Sequence, residues 1–427
     1  MKTEINKLPR GQVELTIELS IDEYQPFLEQ AAKTISEVTK IPGFRPGKAG
    51  LDIVKQKVGE DKIWQEALEP AVRKTFLQAL DKQKLPTVGS PEIDVIKLAP
   101  GNPVIYKAKV NLLPKVELGD LTKIKVSRKP VVIKPEEISQ TINNIQKSQA
   151  KESLVSRPAQ KGDKVEIDFS VSLDQIPIDQ GQSQNFPLVI GEKAFIPGFE
   201  EQLIGLKSGE EKKFSLEFPK NYHQKNLAGR LADFKVKLNA VYNLELPKLD
   251  DDFAKSLGQF QTVKDLEEGV KNKLTNDAEF QENQRLEEEI IDAIINQSKF
   301  DDIPDLLINT ETKKMLEELE QSISQNGLKF EDYLSHLKKT QDELLLDFVP
   351  QAIKRVKGAL ILRQAGELGK IQATEEDIAE EIKQTKVLYQ NNPEISKQID
   401  SPAYHQYLKN ILTGRKTMEY LKSLTVK

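Results

Sequence analysis

The chain begins with alternating apolar and polar positions and then changes to helical spacing. Alternation over residues 11–20 predicts a strand. Ser20 and Glu23 form a capping-box pattern that begins a helix directly afterwards. The apolar face expected for this helix consists of Phe27, Leu28, Ala31, Ile35 and Val38. Pro42 and Gly43 break the helical pattern, so we expect a loop at that point.

Helical spacing resumes after the loop and gives way to strands. It begins at Leu51 and continues through Trp64, Leu68, Val72, Phe76 and Leu80. Two strand-like runs follow, near Ile93–Leu98 and Val104–Leu112. Residues 1–112 are therefore predicted to form an α+β domain.

The next two segments differ from each other in their residue patterns. Residues 113–152 contain spaced prolines, and Pro135 suits the first turn of a helix. We interpret them as a linker that packs with the C-terminal domain. Residues 153–246 alternate short strand patterns with glycine and proline turns, interrupted by a short helical stretch near Pro197–Gly205. This segment is predicted to be a small, mostly β domain.

Residues 247–427 have helical spacing almost throughout. Between Asp250 and Asp292 there are 13 acidic and 5 basic residues. Long helices with this much charge are typical of arms that are solvated on two sides. The predicted fold class is therefore a multidomain α+β protein with an elongated all-α C-terminal domain that carries arms.

The sequence lacks the residues that most catalytic chemistries require. Cysteine is absent, which excludes disulfides, thiol nucleophiles and cysteine-based zinc sites. The three histidines, His223, His336 and His405, lack metal-ligand spacing. Gly43 and Gly47 enclose too few residues for a phosphate-binding loop. We expect no metal and no cofactor.

Charge and hydropathy limit the partners. The formal net charge is −5, which argues against general or sequence-specific nucleic-acid binding. The first ten residues lack the apolar core of a secretory signal, and no apolar run approaches the length of a membrane span. We therefore expect a cytoplasmic location and no membrane partner.

A basic loop is the first candidate site. Residues 38–58 contain five cations against one acid, Asp52. Phe44 and Arg45 lie between Gly43 and Gly47, and Pro42 and Pro46 stiffen this tip. A rigid aromatic and guanidinium pair suits an anchor on an anionic or mixed surface. The alternative is an ordinary solvated turn in which Phe44 folds back into its own core.

The loop sequence resembles a known signature. The string Gly43, Phe44, Arg45, Pro46, Gly47, Lys48 is similar to the ribosome-binding motif of the trigger factor family. The resemblance implies docking on a large-subunit ribosomal protein beside the exit tunnel. Gly50 stands where family members usually have proline, a change that would loosen the second flank of the tip.

Aromatic residues of the β domain form the second candidate site. They are spread over different predicted strands and turns, and the alternative is an ordinary aromatic core. The six residues are Phe169, Phe186, Phe195, Phe199, Tyr222 and Phe234.

The frame around these aromatics resembles the FK506-binding-protein (FKBP) type of prolyl isomerase over nearly the whole domain. The matching stretches include residues 162–165, 186–191, 195–200 and 205–210. By position, the resemblance implies a pocket floor at Phe199 and a carboxylate near the imide at Asp179. Ile178 replaces the usual aromatic wall. The other implied walls are Phe169, Phe186, Ile196, Tyr222 and Phe234.

Together the resemblances imply a trigger-factor-like chaperone with an inserted FKBP-type isomerase domain. Its implied partners are the ribosome, nascent and unfolded polypeptides and, off the ribosome, a second copy in a homodimer. The helical segment would form the cradle for clients. Two alternatives stay open at this point: a catalytically inactive peptide-binding module, and a free isomerase that never contacts ribosomes.

Overall fold

A computed structural model describes residues 1–173, 176–222, 224–389 and 392–426. Of residues 179, 180, 393, 394 and 396 it describes only the backbone. The chain divides into two compact units, one formed by residues 1–128 with 284–427 and the other by residues 129–283. The observed architecture confirms the multidomain α+β class.

The first unit begins with a four-stranded antiparallel sheet of order β1-β2-β4-β3. Helices α1 and α3 pack against each other, and apolar residues of α1, α3, β2 and β4 form one buried core. The elements are β1 Lys2–Leu8, β2 Gln12–Leu19, α1 Ile21–Val38, α2 Leu51–Val58, α3 Glu60–Gln83, β3 Thr87–Lys97 and β4 Val104–Leu112. The predicted capping box is present, with Ser20 and Glu23 bonded to each other's backbone amides.

Strand β1 is not predicted by the hydrophobic pattern. Its residues are mostly exposed, since it is an edge strand that pairs only with β2 in this sheet. The hairpin turns at Arg10 and Gly11, which adopt φ of 60° and 65°. Two successive left-handed residues suit a tight hairpin. The tight turn therefore determines this strand, and no pattern of buried residues predicts it.

Two tyrosines lie inside this core. The Tyr24 hydroxyl donates to the Trp64 carbonyl at 2.8 Å, and the Tyr106 and Thr75 hydroxyls share a hydrogen bond at 2.7 Å. Burial raises the pKa of both phenols, and that of Tyr106 reaches about 12. Each phenol is therefore held neutral above the pH at which an exposed tyrosine ionises.

This shift predicts alkaline loss of stability. A phenol with a raised folded pKa contributes its stability fully below about pH 10, the unfolded value, and loses it as pH approaches 12. We expect Tyr106→Phe to flatten this decline relative to the wild type. Trp64 is the sole tryptophan, so its emission maximum during denaturant titration reports this core at each pH. Equal slopes for both proteins between pH 9 and pH 12 would contradict the assignment.

The chain then leaves the segment of residues 1–112, which we call the head. It continues through β5, Val116–Glu117, and a 3₁₀ turn at Leu121–Lys123. The second unit follows with α4 Pro135–Ser148, β6 Lys151–Leu154, β7 Lys164–Leu173, β8 Ile176–Val189, β9 Glu211–Glu217, β10 Leu231–Glu245, α5 Asp251–Ser256 and α6 Val263–Gln297. The unit boundary falls within α6. Ile142 of α4 packs with Phe253 of α5 and Leu266 of α6.

The antiparallel sheet of this unit has the order β6-β10-β7-β8, and β9 pairs with the first half of β10. The helical stretch expected near residues 197–205 is shorter than predicted, a single 3₁₀ turn at Glu200–Gln202. Gly198 and Gly205 confine it, because both adopt positive φ, 88° and 89°.

Helices complete the first unit. They are α7 Asp305–Gln325, α8 Phe330–Leu337, α9 Gln341–Gly369, α10 Glu375–Leu388, α11 Pro393–Ile399 and α12 Pro402–Thr425, preceded by β11 Lys299–Phe300. β11 pairs with β5, and Val116 and Ile124 share a core with Leu286 and Leu360. In the described part of the chain, every helix is too short or too polar to cross a bilayer.

Candidate functional site

The basic loop connects α1 to α2 and is fixed at both ends. Ile41 and Ala49 are buried, with 6% and 7% of their surface exposed. Between them Phe44 is 44% exposed, and Arg45 is exposed beside it. The alternative in which Phe44 folds back into the core is therefore wrong, because the anchors lie on either side of the tip.

Backbone hydrogen bonds shape the tip. The Phe44 amide donates to the Ile41 carbonyl at 3.2 Å, and the Lys48 amide donates to the Arg45 carbonyl at 3.0 Å. The Gly47 amide reaches back to the Ser36 carbonyl of α1 at 3.0 Å. The loop is therefore two consecutive turns tied to a helix.

Gly47 is required for this geometry. It adopts φ of 76°, and an added Cβ would lie 2.9 Å from Cγ of Glu37. Both the left-handed backbone and the close approach favour glycine. Gly43 also adopts a positive φ, 83°, but faces open space.

The cations of the loop are not equivalent. Lys55 pairs with Glu60 at 2.7 Å, so its charge is already compensated. Among the described residues, no carboxylate forms an ion pair with Arg45 or Lys48. These two cations, together with the Phe44 ring, form the surface that we call the loop tip.

Gly50, the departure from the family pattern, caps the start of α2. Its φ of −70° is compatible with proline, and an added Cβ meets nothing within 4 Å. Within the described residues, no backbone carbonyl accepts its amide hydrogen. The local geometry therefore accommodates proline at position 50.

We expect Gly50→Pro to stabilise the head by about 0.4–1 kcal/mol, because proline restricts the unfolded chain at a position where the folded backbone already fits. Denaturant titration followed by Trp64 emission measures the change. Gly47→Pro provides the contrast, since its positive φ excludes the proline ring and stability should fall. A loss of stability for Gly50→Pro would show that the flank is constrained in another way.

The aromatic residues of the second unit form one cluster around Phe199. This ring has 0% exposed surface and lies at the start of the 3₁₀ turn. Phe195 stacks on it with centroids 4.2 Å apart and planes 12° apart. Phe214 and Phe234 contact it edgewise, each at 5.5 Å. Phe199 is therefore the centre of the cluster.

Strands β7 and β8 bring further rings to the same place. Phe169 and Phe186 meet edge to face at 5.8 Å. Tyr222 joins from a loop, since it packs on Phe218 at 4.7 Å and Phe218 lies 6.1 Å from Phe234. Ile196 is half-buried against the same core. The structure thus brings together the predicted floor and its five predicted walls.

The carboxylate side of the pocket is described only in part. The side chain of Asp179 lies outside the described residues, as does His223. Ile178 is half-buried against the core. An added Cβ on Gly181 would lie 2.2 Å from Cγ1 of Ile178. The Ile178 side chain therefore covers Gly181, where β8 departs from regular pairing with β7.

Two residues near the pocket were not assigned by sequence. The resemblance places Phe195 in neither the floor nor the walls. Glu200 is only 5% exposed, and its carboxylate accepts backbone amide hydrogens from four residues. These are Gly191 at 2.6 Å, Lys193 at 3.0 Å, Ala194 at 2.7 Å and Phe195 at 3.4 Å. The sequence feature that could have indicated Glu200 is its position directly after Phe199, the predicted floor.

An antiparallel sheet that surrounds a buried ring at the start of a short helical turn defines the class, an FKBP-type peptidyl-prolyl isomerase domain. The family profile described as "FKBP-type peptidyl-prolyl cis-trans isomerase" matches residues 155–246. The profiles described as "Bacterial trigger factor protein (TF)" and its C-terminus match residues 1–145 and 262–423.

Whole-chain relatives agree with these profiles. A trigger factor of Carboxydothermus hydrogenoformans is 34% identical over 99% of this chain and 98% of its own. One of Caldicellulosiruptor bescii is 31% identical over 99% of this chain and 96% of its own. The chain belongs to the trigger factor family. A solved trigger factor structure overlaps 99% of both chains with a TM-score of 0.47 and 18% identity, too low to add to this assignment.

Proposed function

We propose that this protein is a cytoplasmic ribosome-associated chaperone that binds nascent and unfolded polypeptides and isomerises X–Pro peptide bonds. The observation that carries the proposal is the exposed loop tip in a chain of this family. Phe44 presents apolar area, and Arg45 beside it presents a planar cation. Aromatic and arginine side chains supply much of the binding energy at protein interfaces.

The loop tip is suited to docking because it is already ordered. Its turns, its glycine and its buried anchors fix the positions of Phe44 and Arg45 before a partner arrives. Binding then loses less conformational entropy than the ordering of a free loop would. The proposed partner is a large-subunit ribosomal protein at the tunnel exit.

We propose four functional segments. Residues 1–112 dock, 113–152 connect, 153–246 isomerise and 247–427 hold clients. The family profiles end at residues 145 and 246 and begin at residues 155 and 262, near the second and third of these limits, whereas the first profile runs across residue 112. Contacts of α4 with α5 and α6 support the pairing of the connecting segment with the helical one.

Client binding is proposed for the helical segment because it exposes scattered large apolar side chains. They include Leu346, Leu368, Val387, Leu388 and Tyr407. Apart from the adjacent Val387 and Leu388, charged residues separate them along the chain, which suits weak contact with many unfolded segments rather than one tight partner. We further propose that the protein forms homodimers off the ribosome, which equilibrium sedimentation would detect.

Isomerisation requires no nucleophile. Amide resonance imposes a rotation barrier of about 18–20 kcal/mol, and it places charge on the carbonyl oxygen that water stabilises. A dry aromatic pocket around Phe199 withholds that water and so favours the twisted, less polar transition state. We assign the floor to Phe199, the walls to the five residues named above, and substrate orientation to the Tyr222 hydroxyl.

A protease-coupled assay with a prolyl peptide and the whole chain tests the enzyme. We expect at least a tenfold acceleration over buffer, which corresponds to about 1.4 kcal/mol of barrier. Phe44→Ala should leave this rate unchanged, since its position is far from the pocket in sequence and lies in the other compact unit. A rate equal to that of buffer would favour the inactive peptide-binding module.

A further inference from the structure

The pocket floor is fully covered in this structure. Phe199 has 0% exposed surface, so a proline ring has nothing of it to contact. Its face is occupied by Phe195, stacked 4.2 Å away and nearly parallel. Phe195 also meets Phe169 edgewise at 5.2 Å and Phe186 at 5.5 Å. These are the residues to which the prolyl pocket is assigned, so Phe195 lies in the middle of it.

Of the described rings that contact the floor, Phe195 is the one that lies outside a strand. Phe169, Phe214 and Phe234 sit on β7, β9 and β10. Phe234 pairs with Phe214 across one ladder, and Phe169 pairs with Val236 across the other. Phe195 lies in the loop between β8 and the 3₁₀ turn, and its side chain is half-buried, as are those of Phe169 and Phe214. It can leave without breaking a strand.

The backbone beneath Phe195 is held in place. The Glu200 carboxylate accepts the amides of Gly191, Lys193, Ala194 and Phe195. A segment fixed by four such bonds does not need to move when the ring does. The opening motion is therefore a rotamer change of one side chain, which proceeds on the ps–ns scale once the ring is free.

We propose that Phe195 is a plug that occupies the prolyl position on the Phe199 floor, and that an X–Pro segment must displace it to bind. This inference rests on the proposed isomerase function and names the residue that sets its substrate affinity. A site that is closed most of the time binds more weakly by the fraction that is open. Phe195 therefore lowers affinity while leaving the chemistry of the floor and walls intact.

The test compares Phe195→Val with Phe214→Val in the whole chain. Both remove a large neighbour of the floor, but only the first uncovers its face. We measure kcat and KM with a prolyl peptide, and the dissociation constant of the same peptide by calorimetry. For Phe195→Val we expect KM and the dissociation constant to fall roughly tenfold, with kcat within twofold of the wild type. Phe214→Val should not tighten binding.

The opposite result would overturn the plug. If Phe195→Val raises KM and weakens peptide binding, the ring is a wall that substrate needs, and isomerase activity of the wild type would still stand. If neither protein is active yet the variant binds peptide more tightly, the plug stands and the enzyme proposal falls. The two failures are therefore distinguishable.

A second measurement keeps the test valid if the variant does not fold. The wild-type chain carrying 4-fluorophenylalanine at position 195 retains the ring and gives one resolved fluorine signal. Saturation with prolyl peptide should shift that signal, because the ring leaves its stacking partner. An unmoved signal at peptide saturation would overturn the plug.

Discussion

Glu200→Ala is expected to lower the stability of the β-rich domain by about 2–4 kcal/mol and to abolish most isomerase activity. The reason is that four backbone amides lose one shared, buried acceptor. Each unsatisfied buried donor costs about 1–3 kcal/mol, and water recovers part of this along the exposed loop. The loop that carries Phe195 and Ile196 then loses its fixed position.

Calorimetric melting of the whole chain and hydrogen exchange at residues 191–195 measure this effect. Glu201→Ala is the matched control, since Glu201 is the next residue and is exposed. The stability of Glu200→Gln should lie between those of the wild type and Glu200→Ala. An amide keeps one acceptor oxygen but turns an N–H₂ toward the same donors. Unchanged melting and exchange in Glu200→Ala would show that the loop is held by other contacts.

The double variant Phe44→Ala/Arg45→Ala is expected to bind ribosomes at least 30-fold more weakly, a loss of about 2 kcal/mol or more. It removes both the apolar area and the planar cation of the loop tip. Its anchors, Ile41 and Ala49, remain buried, so the head should keep its fold. Cosedimentation over a range of ribosome concentrations gives the affinity.

Phe280→Ala provides the comparison for docking. Phe280 is 63% exposed on α6, more than Phe44, and lies far from the loop in sequence. Its loss should leave ribosome affinity unchanged. Docking should also weaken as salt rises, because exposed charges are screened within about 10 Å at 0.1 M. Equal pelleting of the double variant and the wild type would favour the free isomerase instead.

Local signals made much of the fold predictable. The capping box at Ser20 and Glu23 places the start of α1, and alternation places β2 and β4. Both depend on residues close in sequence. The hydrophobic pattern does not predict strand β1, because this strand is an exposed edge whose pairing is set by a tight turn. An exposed edge strand and a tight turn do not produce an alternation of apolar and polar residues.

The sites were predictable only in part, since they depend on which rings face each other. Residue type alone does not decide whether Phe44 points outward; the buried flanks Ile41 and Ala49 decide it. Similarly, Phe195 and Phe199 are four residues apart, yet their stacking depends on how Glu200 folds the loop between them. Such packing arises from several segments at once.

In the proposed function, the loop tip docks on the ribosome. Photocrosslinking tests it most directly, with Phe44 replaced by benzoylphenylalanine, which keeps an aromatic ring at that position. On irradiation with ribosomes we predict one dominant adduct, to a large-subunit ribosomal protein, and none from the same probe at position 280. No ribosomal adduct at position 44, or equal adducts at both positions, would show that the loop tip is not the docking surface.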